Sequence, residues 1–507
     1  MSRNIVTAFI STVGSRLAGL LVTAAITPLL IHYLGVGTYG QYATIMSVFA
    51  LLTIFTSSGT NSGVKKYIAE EREMEGWKGH VFGYYFRLAT VLALIAAIGF
   101  AVAGYTGIGA ILLSEEILPY FYLLGAMALA VQYREYVRRS LMGLKLEHIS
   151  EPVNVVYRII FGIVGIGLAA VGFGVPGLIA AQIVASLVAV AISLVYIRKR
   201  ISLDAIVTRT PDDFPSSDLF NFNHLTVAYV FLLTSLYHID VLMLGSITNN
   251  SDLVGYYKAS LVLVQFLWIL PRSVQGVMIQ STSDLWEKGK TKRITDLASR
   301  TTRYVLLLTI LLALGMAALA ETFVPLYLGE GMTPAVTPLL LLLPGTVGFA
   351  VARPLLAISH AKGEVKTLIA ATWASACLNF SLNLILIPEF GMTGAAVATT
   401  IGYGSLPIFN LVAARDLGYK PLADIRLTRV AITTLVAAVP IYLLSTSLTN
   451  PWVALAVVPP VGFIVYATAA VLTRAVDPSE VVDFLSALPD PVGQKATELG
   501  RRFEDSA

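Results

Sequence analysis

Charge is scarce in this chain. Of 507 residues only 13% are Asp, Glu, Lys or Arg, about half the share of an ordinary soluble domain. The chain cannot clothe its own surface in polar groups, so lipid must cover much of it. A soluble enzyme and a disordered chain are both excluded. Cysteine is nearly absent. The single Cys377 rules out an intramolecular disulfide and any multi-cysteine metal site. Six histidines are scattered and no HExxH occurs, so no metal and no other cofactor is expected. The net charge is only +4, and no nucleic-acid partner is expected. The first thirty residues do not read as a cleavable signal, because apolar character runs past any cleavage point into another apolar stretch.

Apolar sequence is what the chain has in excess: 56% of residues, with a mean hydropathy of +0.75. A helix needs about 20 apolar residues to cross the hydrocarbon layer. Fourteen stretches qualify, at approximately 5–31, 40–60, 82–103, 117–143, 149–171, 176–197, 219–246, 255–281, 301–321, 333–358, 366–387, 392–414, 427–447 and 452–473. Backbone in lipid must satisfy its own hydrogen bonds, so these are helices and the fold is all-α. The loops 32–39, 104–116, 172–175, 247–254, 322–332, 388–391 and 448–451 contain no Lys or Arg, whereas the N-terminus, the alternate connections and the tail hold 29 of the 35. The basic side faces the cytoplasm. Both termini are therefore expected on the cytoplasmic side of the cell membrane, which requires an even number of spans. No external loop is long enough to fold as a domain, and the polar tail 475–507 is expected to carry a short surface helix. With no soluble catalytic domain, an enzyme is not expected.

The chain also echoes itself. Leu34-Gly35 followed by Gly40-Gln41-Tyr42-Ala43 is matched by Leu244-Gly245 followed by Gly255-Tyr256-Tyr257-Lys258-Ala259. Phe173-Gly174-Val175-Pro176-Gly177 is matched by Phe390-Gly391-Met392-Thr393-Gly394, with Ala181 and Ala398 four residues beyond each, and Arg138 by Arg353. The matches keep their order, and the offset between the copies hardly changes along the chain. Six helices are thus expected to be repeated: an N-lobe at 1–210 and a C-lobe at 211–420, followed by two extra helices at 421–474 and the cytoplasmic tail at 475–507. Six is even, so the repeats are parallel, and two such lobes rocking about a shared cleft are the architecture of an alternating-access transporter.

These residues carry a resemblance. Tyr33-Leu34-Gly35-Val36-Gly37-Thr38-Tyr39-Gly40-Gln41-Tyr42, Asp240-Val241-Leu242-Met243-Leu244-Gly245 with Val254-Gly255-Tyr256-Tyr257, and Phe390-Gly391-Met392-Thr393-Gly394-Ala395-Ala396 resemble the Wzx-like oligosaccharide-lipid flippases of the multidrug/oligosaccharidyl-lipid/polysaccharide (MOP) exporter superfamily. The resemblance runs over essentially the whole chain. It implies a carrier of a polyprenyl phosphate- or pyrophosphate-linked oligosaccharide across the cytoplasmic membrane, acting as a monomer, with H+ or Na+ as a possible coupling ion. The alternative is an ion-coupled small-molecule exporter of the same superfamily. A membrane glycan polymerase or ligase ranks lower, because such sites usually sit on a sizeable external loop.

Six cations remain outside the loops: Arg16, Arg87, Arg158, Lys258, Arg272 and Arg353. A charge at the bilayer centre costs about 2.5–3.5 kcal/mol or more, so each needs a polar cavity or a partner. Arg16 shares a polar stripe on the first helix with Thr12, Ser15, Gly19 and Thr23; it either lines a cleft or pairs with a carboxylate. Lys258, Gln265 and Arg272 recur at seven-residue steps on the eighth helix, where Lys258 could also snorkel outward. Arg353 precedes Pro354 in the tenth. The cleft-lining set is therefore Arg16, Lys258, Arg272, Arg353, Gln265, Ser15 and Thr12. Arg134, Arg138 and Arg139 are read as a solvated helix end, Arg87 as snorkelling, and Arg158 as a local partner of Glu151. Asp240, with His238 two residues before it, is the one acid deep in the outer half of a helix. It either pairs with Arg16 or Lys258 or carries the coupling ion. Four cations against one acid leave the cleft positive, which suits a phosphate and not a cationic drug.

Two GxGxxG runs, at Gly35 and at Gly172, join apolar stretches on the external side and are tight turns, not nucleotide sites. Gly289-Lys290-Thr291 ends like a P-loop, but Asp284 occupies the place of its first glycine. Asp212-Asp213 is read as a solvated loop and Asn249-Asn250-Ser251 as a sequon without a known role.

Overall fold

The structure, a computed structural model, describes residues 2–109, 117–221 and 224–486, and their side chains except at 2–13, 15, 16, 221, 224, 226, 483 and 484. Among the described residues every regular element is a helix. The first half holds α1 (Ser2–Leu34), α2 (Val36–Ala69), α3 (Trp77–Thr106), α4 (Tyr120–Gly143), α5 (Glu147–Ala170) and α6 (Gly174–Ile197). A short helix, Ser216–Asn221, leads into α7 (His224–Thr248). Then come α8 (Ser251–Glu287), α9 (Thr291–Leu328) and α10 (Val336–Ala361). One long helix, Val365–Leu417, bends at Gly391, where φ is +54° and ψ −129°; its limbs, 365–390 and 392–417, are α11 and α12. The chain ends with α13 (Leu427–Ser447), α14 (Pro451–Leu472) and α15 (Pro478–Ser486).

Twelve of these helices are long and apolar enough to cross a membrane. That number takes Val365–Leu417 as one helix and omits α4, whose second half carries Arg134, Glu135, Arg138 and Arg139. The protein is a multi-pass membrane protein. Large apolar side chains such as Ile163, Ile385, Leu435 and Leu472 lie exposed on the outer surface of the bundle, as expected where lipid is the solvent. Helix starts follow capping chemistry. The Asn250 carboxamide accepts from the N–H groups of Asp252 and Leu253, and that of Asn450 from Trp452 and Val453 ahead of Pro451 at the first helical position.

In the first half α5 packs on α1 and α6, and α4 on α3 and α6; in the second, α7 and α10 pack on the bent helix. The halves meet where α2 lies against α7 and α8. The closest approach is at two glycines that the sequence repeat pairs with each other. A Cβ on Gly40 would lie 1.8 Å from the Ser251 carbonyl oxygen, and one on Gly255 would lie 2.4 Å from that of Val36. Two side-chain contacts fall at positions that the sequence repeat pairs. The Tyr42 hydroxyl donates to Gln182 Oε1 at 3.2 Å, and in the second half Tyr257 meets Thr399 at 3.0 Å. Tyr257 is the repeat partner of Tyr42, and Thr399 follows Ala398 as Gln182 follows Ala181.

Connections on the basic side are tied by charge. The Arg87 guanidinium does not snorkel; it donates to the carbonyls of Ala205, Ile206 and Thr208 and folds the 198–217 connection onto α3. The tail does hold a short helix, α15, and it is stapled down. Arg303 of α9, fully buried, pairs with Asp424 at 3.0 Å and with Glu480 of α15. Arg426 bonds Asp424 at 2.8 Å and Asp477 at 2.6 Å. That bond holds the Asp477 carboxyl below the usual carboxylate range.

Candidate functional site

The two halves enclose a cavity of about 780 Å³. From the first half, α1 lines it with Gly19 and Thr23, α4 with Arg134, Glu135 and Arg138, and α5 with Glu151, Asn154, Tyr157 and Arg158. From the second, α8 contributes Gln265, Arg272 and Gln275, and α10 contributes Arg353. Five guanidinium groups face two carboxylates.

On the first wall the charges interlock. Glu135 takes Arg134 at 3.0 Å and Arg138 at 3.5 Å, and Arg138 also bonds the buried Glu151 at 2.8 Å. Arg134 stacks 3.8 Å from the Tyr157 ring centroid. Arg158 is not held by Glu151 as its sequence spacing suggested. It donates to Thr23 Oγ1 at 2.8 Å and lies across Gly19, where a Cβ would come within 3.1 Å of its Nε. The bare glycine on α1 is what lets the guanidinium cross between the helices.

Among the described lining residues the opposite wall has no carboxylate. Arg353, only 4% exposed, donates to Gln275 Oε1 at 3.2 Å and to the Tyr237 hydroxyl, and sits 4.4 Å from the Phe349 ring centroid. Arg272 lies 5.4 Å from the Tyr237 ring centroid and 5.3 Å from that of Trp268. A 3-10 turn at Phe266–Trp268, just ahead of Pro271, breaks α8 between Gln265 and Arg272, and both still reach the cavity. Like charges placed around one phenol, braced by rings and neutral acceptors, are stabilised when an anion arrives.

Of the residues expected in the cleft, the fold therefore brings together Gln265, Arg272 and Arg353. Arg16, Ser15 and Thr12 lie outside the described side chains. Lys258 does not line the cavity; it sits further along α8, near enough to Asp240 and His238 for their charges to interact. Asp240 is fully buried and forms no ion pair of 4.0 Å or less among the described residues. It accepts from the Tyr257 hydroxyl at 2.5 Å, Thr399 Oγ1 at 3.0 Å and the Val241 N–H at 2.8 Å. Asn379 continues this network to Thr399, and Asn383 to Asn379, each at 3.3 Å. His238 Nδ1 meets Ser47 Oγ of α2 at 3.2 Å. The cluster on α4 is not a solvated helix end: Arg134, Glu135 and Arg138 face the cavity. The signal for this was the repeat that pairs Arg138 with Arg353, both of which line it.

A family model described as polysaccharide biosynthesis protein matches residues 29–337. The chain belongs to that family. Among individual relatives, an uncharacterised membrane protein of Methanocaldococcus jannaschii is 24% identical over 258 residues, 49% of each chain, so the match spans about half of that protein. The "Probable low-salt glycan biosynthesis flippase Agl15" of Haloferax volcanii is 24% identical over 385 residues, 73% of this chain and 75% of that one. The fold is shared with the lipid II flippase MurJ in an inward closed conformation, at a TM-score of 0.71 and 16% identity, over 93% of this chain and 99% of that one.

Proposed function

We propose that this polysaccharide biosynthesis family member flips a polyprenyl phosphate- or diphosphate-linked oligosaccharide across the cytoplasmic membrane. The observation that carries the reading is the cavity between the halves, with five arginines and two glutamates. A phosphate headgroup and its hydroxyls cannot cross hydrocarbon bare. A hydrated cationic cavity supplies the counter-charge and the donors, with Arg272 and Arg353 taking the phosphate and Gln265 beside them. From the sequence alone, Arg16, Thr12 and Ser15 stay in the proposed substrate-binding set. The name of the Haloferax relative and the family description support the same reading.

The topology we infer has fourteen spans. It counts α4, and α11 and α12 separately, because Gly391 adopts a conformation open to glycine alone. Both termini then lie in the cytoplasm, where the Lys and Arg residues of the connections gather. Two six-helix lobes, 1–210 and 211–420, rock about the contact of α2 with α7 and α8, with α13, α14 and the tail appended to the second lobe. The glycine crossing closes the outer end, so the cavity faces inward. The protein works as a monomer. An H+ or Na+ gradient can act at Asp240, whose surroundings of Tyr257, Thr399, Asn379 and Asn383 are polar and enclosed, with Lys258 as its charged neighbour and His238 two residues before it. The excess of arginine makes a cationic-drug exporter the poorer reading.

The test is mass spectrometry of lipid extracts from a strain lacking the gene, with leaflet sidedness read by an impermeant reagent. Build-up of complete lipid-linked oligosaccharide on the inner leaflet, relieved by the wild-type gene and not by Arg272→Ala with Arg353→Ala, is the expected result. A lipid-linked pool identical to that of the parent strain, with surface glycans intact, sinks the flippase reading in favour of a small-molecule exporter.

A further inference from the structure

The two walls of the cavity differ in hydrogen-bonding character. On the C-lobe wall the groups held out by Arg272 and Arg353 are donors, and no carboxylate stands among the residues that line it. On the N-lobe wall donors and acceptors alternate: Arg134, Glu135, Arg138 and Glu151 form a neutral ladder with contacts of 3.0, 3.5 and 2.8 Å, flanked by Asn154 and Tyr157. A carboxylate in the path of an anionic headgroup repels it, so these two acids are out of place in a site built for phosphate alone. They fit a different ligand. A phosphate oxygen only accepts hydrogen bonds at neutral pH, whereas a sugar hydroxyl both donates and accepts. An Arg–carboxylate ladder offers both to neighbouring hydroxyls, and its own pairing keeps it fixed before the sugar arrives.

We infer that the N-lobe wall is the saccharide subsite and the C-lobe wall the phosphate subsite, so that the lipid-linked sugar lies across the cavity with its first residues on Glu135, Arg138 and Asn154. This assignment rests on the flippase reading and adds to it a division of labour between the lobes. Glu151, buried behind Arg138, is a positioning residue: it aims the guanidinium and cancels its charge. Because the ladder is neutral, the described N-lobe lining keeps only the single charge of Arg158, which is bonded to Thr23, against the two of Arg272 and Arg353 opposite; the N-lobe wall recognises the sugar through hydroxyl geometry and competes only weakly for the phosphate. The two lobes then hold different ends of one molecule, and rocking them apart releases both together.

The test uses the full-length protein in detergent and two probes of equal charge. Both carry the same short prenyl chain and diphosphate; one is esterified with N-acetylglucosamine and the other with methanol. Wild-type protein should bind the sugar probe at least fivefold more tightly. Asn154→Ala, Tyr157→Phe and Glu151→Gln should bring the two probes within about twofold of each other and leave the methyl probe unchanged. Arg272→Gln and Arg353→Gln should weaken both probes by tenfold or more. Asn154→Ala and Tyr157→Phe leave the ion pairs intact, so they report even if Glu151→Gln fails to fold. Equal binding of the two probes by the wild type, or N-lobe substitutions that weaken both alike, would overturn the assignment while leaving the flippase intact. Wild-type protein that binds neither probe overturns the flippase reading and the subsites with it.

Discussion

Replacing Gly40 or Gly255 with alanine should push the transporter out of the inward-facing state proposed above. In the structure a Cβ at Gly40 would fall 1.8 Å from the Ser251 carbonyl oxygen. Real Cβ contacts stay above 3.0 Å, so α2 and α8 must move apart until that distance is restored. The obstacle is backbone and cannot rotate away. Overpacking of this kind costs about 1–3 kcal/mol. Alanine also favours the helix over glycine by about 1 kcal/mol, but it does so in every state of the transporter and cancels between them. If the outer end opens during transport, the clash burdens only the closed form. The equilibrium then shifts toward outward-open by a factor of about 5–150. The assay places a single cysteine at Gln265, in a Cys377→Ser background, and measures its labelling by an impermeant reagent from outside. Labelling should rise in Gly40→Ala and Gly255→Ala and rise further in the double variant, while flux falls. Unchanged labelling in a well-folded Gly40→Ala protein would refute the assignment of this crossing as the outer closure.

Other consequences can be read in the same way. Arg303→Ala removes the buried guanidinium that Asp424 and Glu480 share, leaves Glu480 only its 3.9 Å ion pair with Arg426, and should cost about 3 kcal/mol, visible as a lower melting temperature in detergent and faster proteolysis at α15; an unchanged melting curve would show that the staple adds nothing. Asp477 is held below its ordinary range by Arg426, so its stabilising contribution is present above the unfolded carboxylate pKa and is lost as pH falls through the lower folded value. Asp477→Asn should therefore lower stability at neutral pH and converge on the wild type in acid, flattening the acid limb of the profile, whereas a parallel loss at all pH values would argue against that linkage. Gly391→Ala forces a side chain onto φ +54°, ψ −129° and should destabilise by about 1–3 kcal/mol. Wild-type thermal stability in that variant would mean that the bend between α11 and α12 relaxes without strain.

The membrane class and most helices were legible in the sequence because hydrocarbon imposes a length and a composition that a hydropathy scan reads directly. The cavity was legible only in part. Gln265, Arg272 and Arg353 stood out because a charge or amide inside an apolar run has no other ready explanation. Arg134, Arg138 and Arg158 did not, because each has a local alternative: a helix end close to water, or a glutamate one or two turns away. Which alternative holds depends on how α1, α4 and α5 are rotated, and rotation is set by packing such as that of Arg158 on Gly19. The pairing of Arg138 with Arg353 in the repeat carried information about facing, since equivalent positions of two parallel lobes point toward the same axis. It carried none about chemistry. In one lobe the guanidinium is clasped by Glu135 and Glu151; in the other it is braced by Tyr237, Gln275 and Phe349. The proposed repeat sets two like cations at equivalent positions, and the residues around them differ, so that one belongs to a neutral ladder and the other is a positive charge without a carboxylate. A symmetric cavity would bind a phosphate equally on either side. On the subsite assignment proposed above, the asymmetric one fixes which end of a sugar–phosphate lies against which lobe, and that polarity depends on the neighbours of the two arginines more than on the arginines themselves.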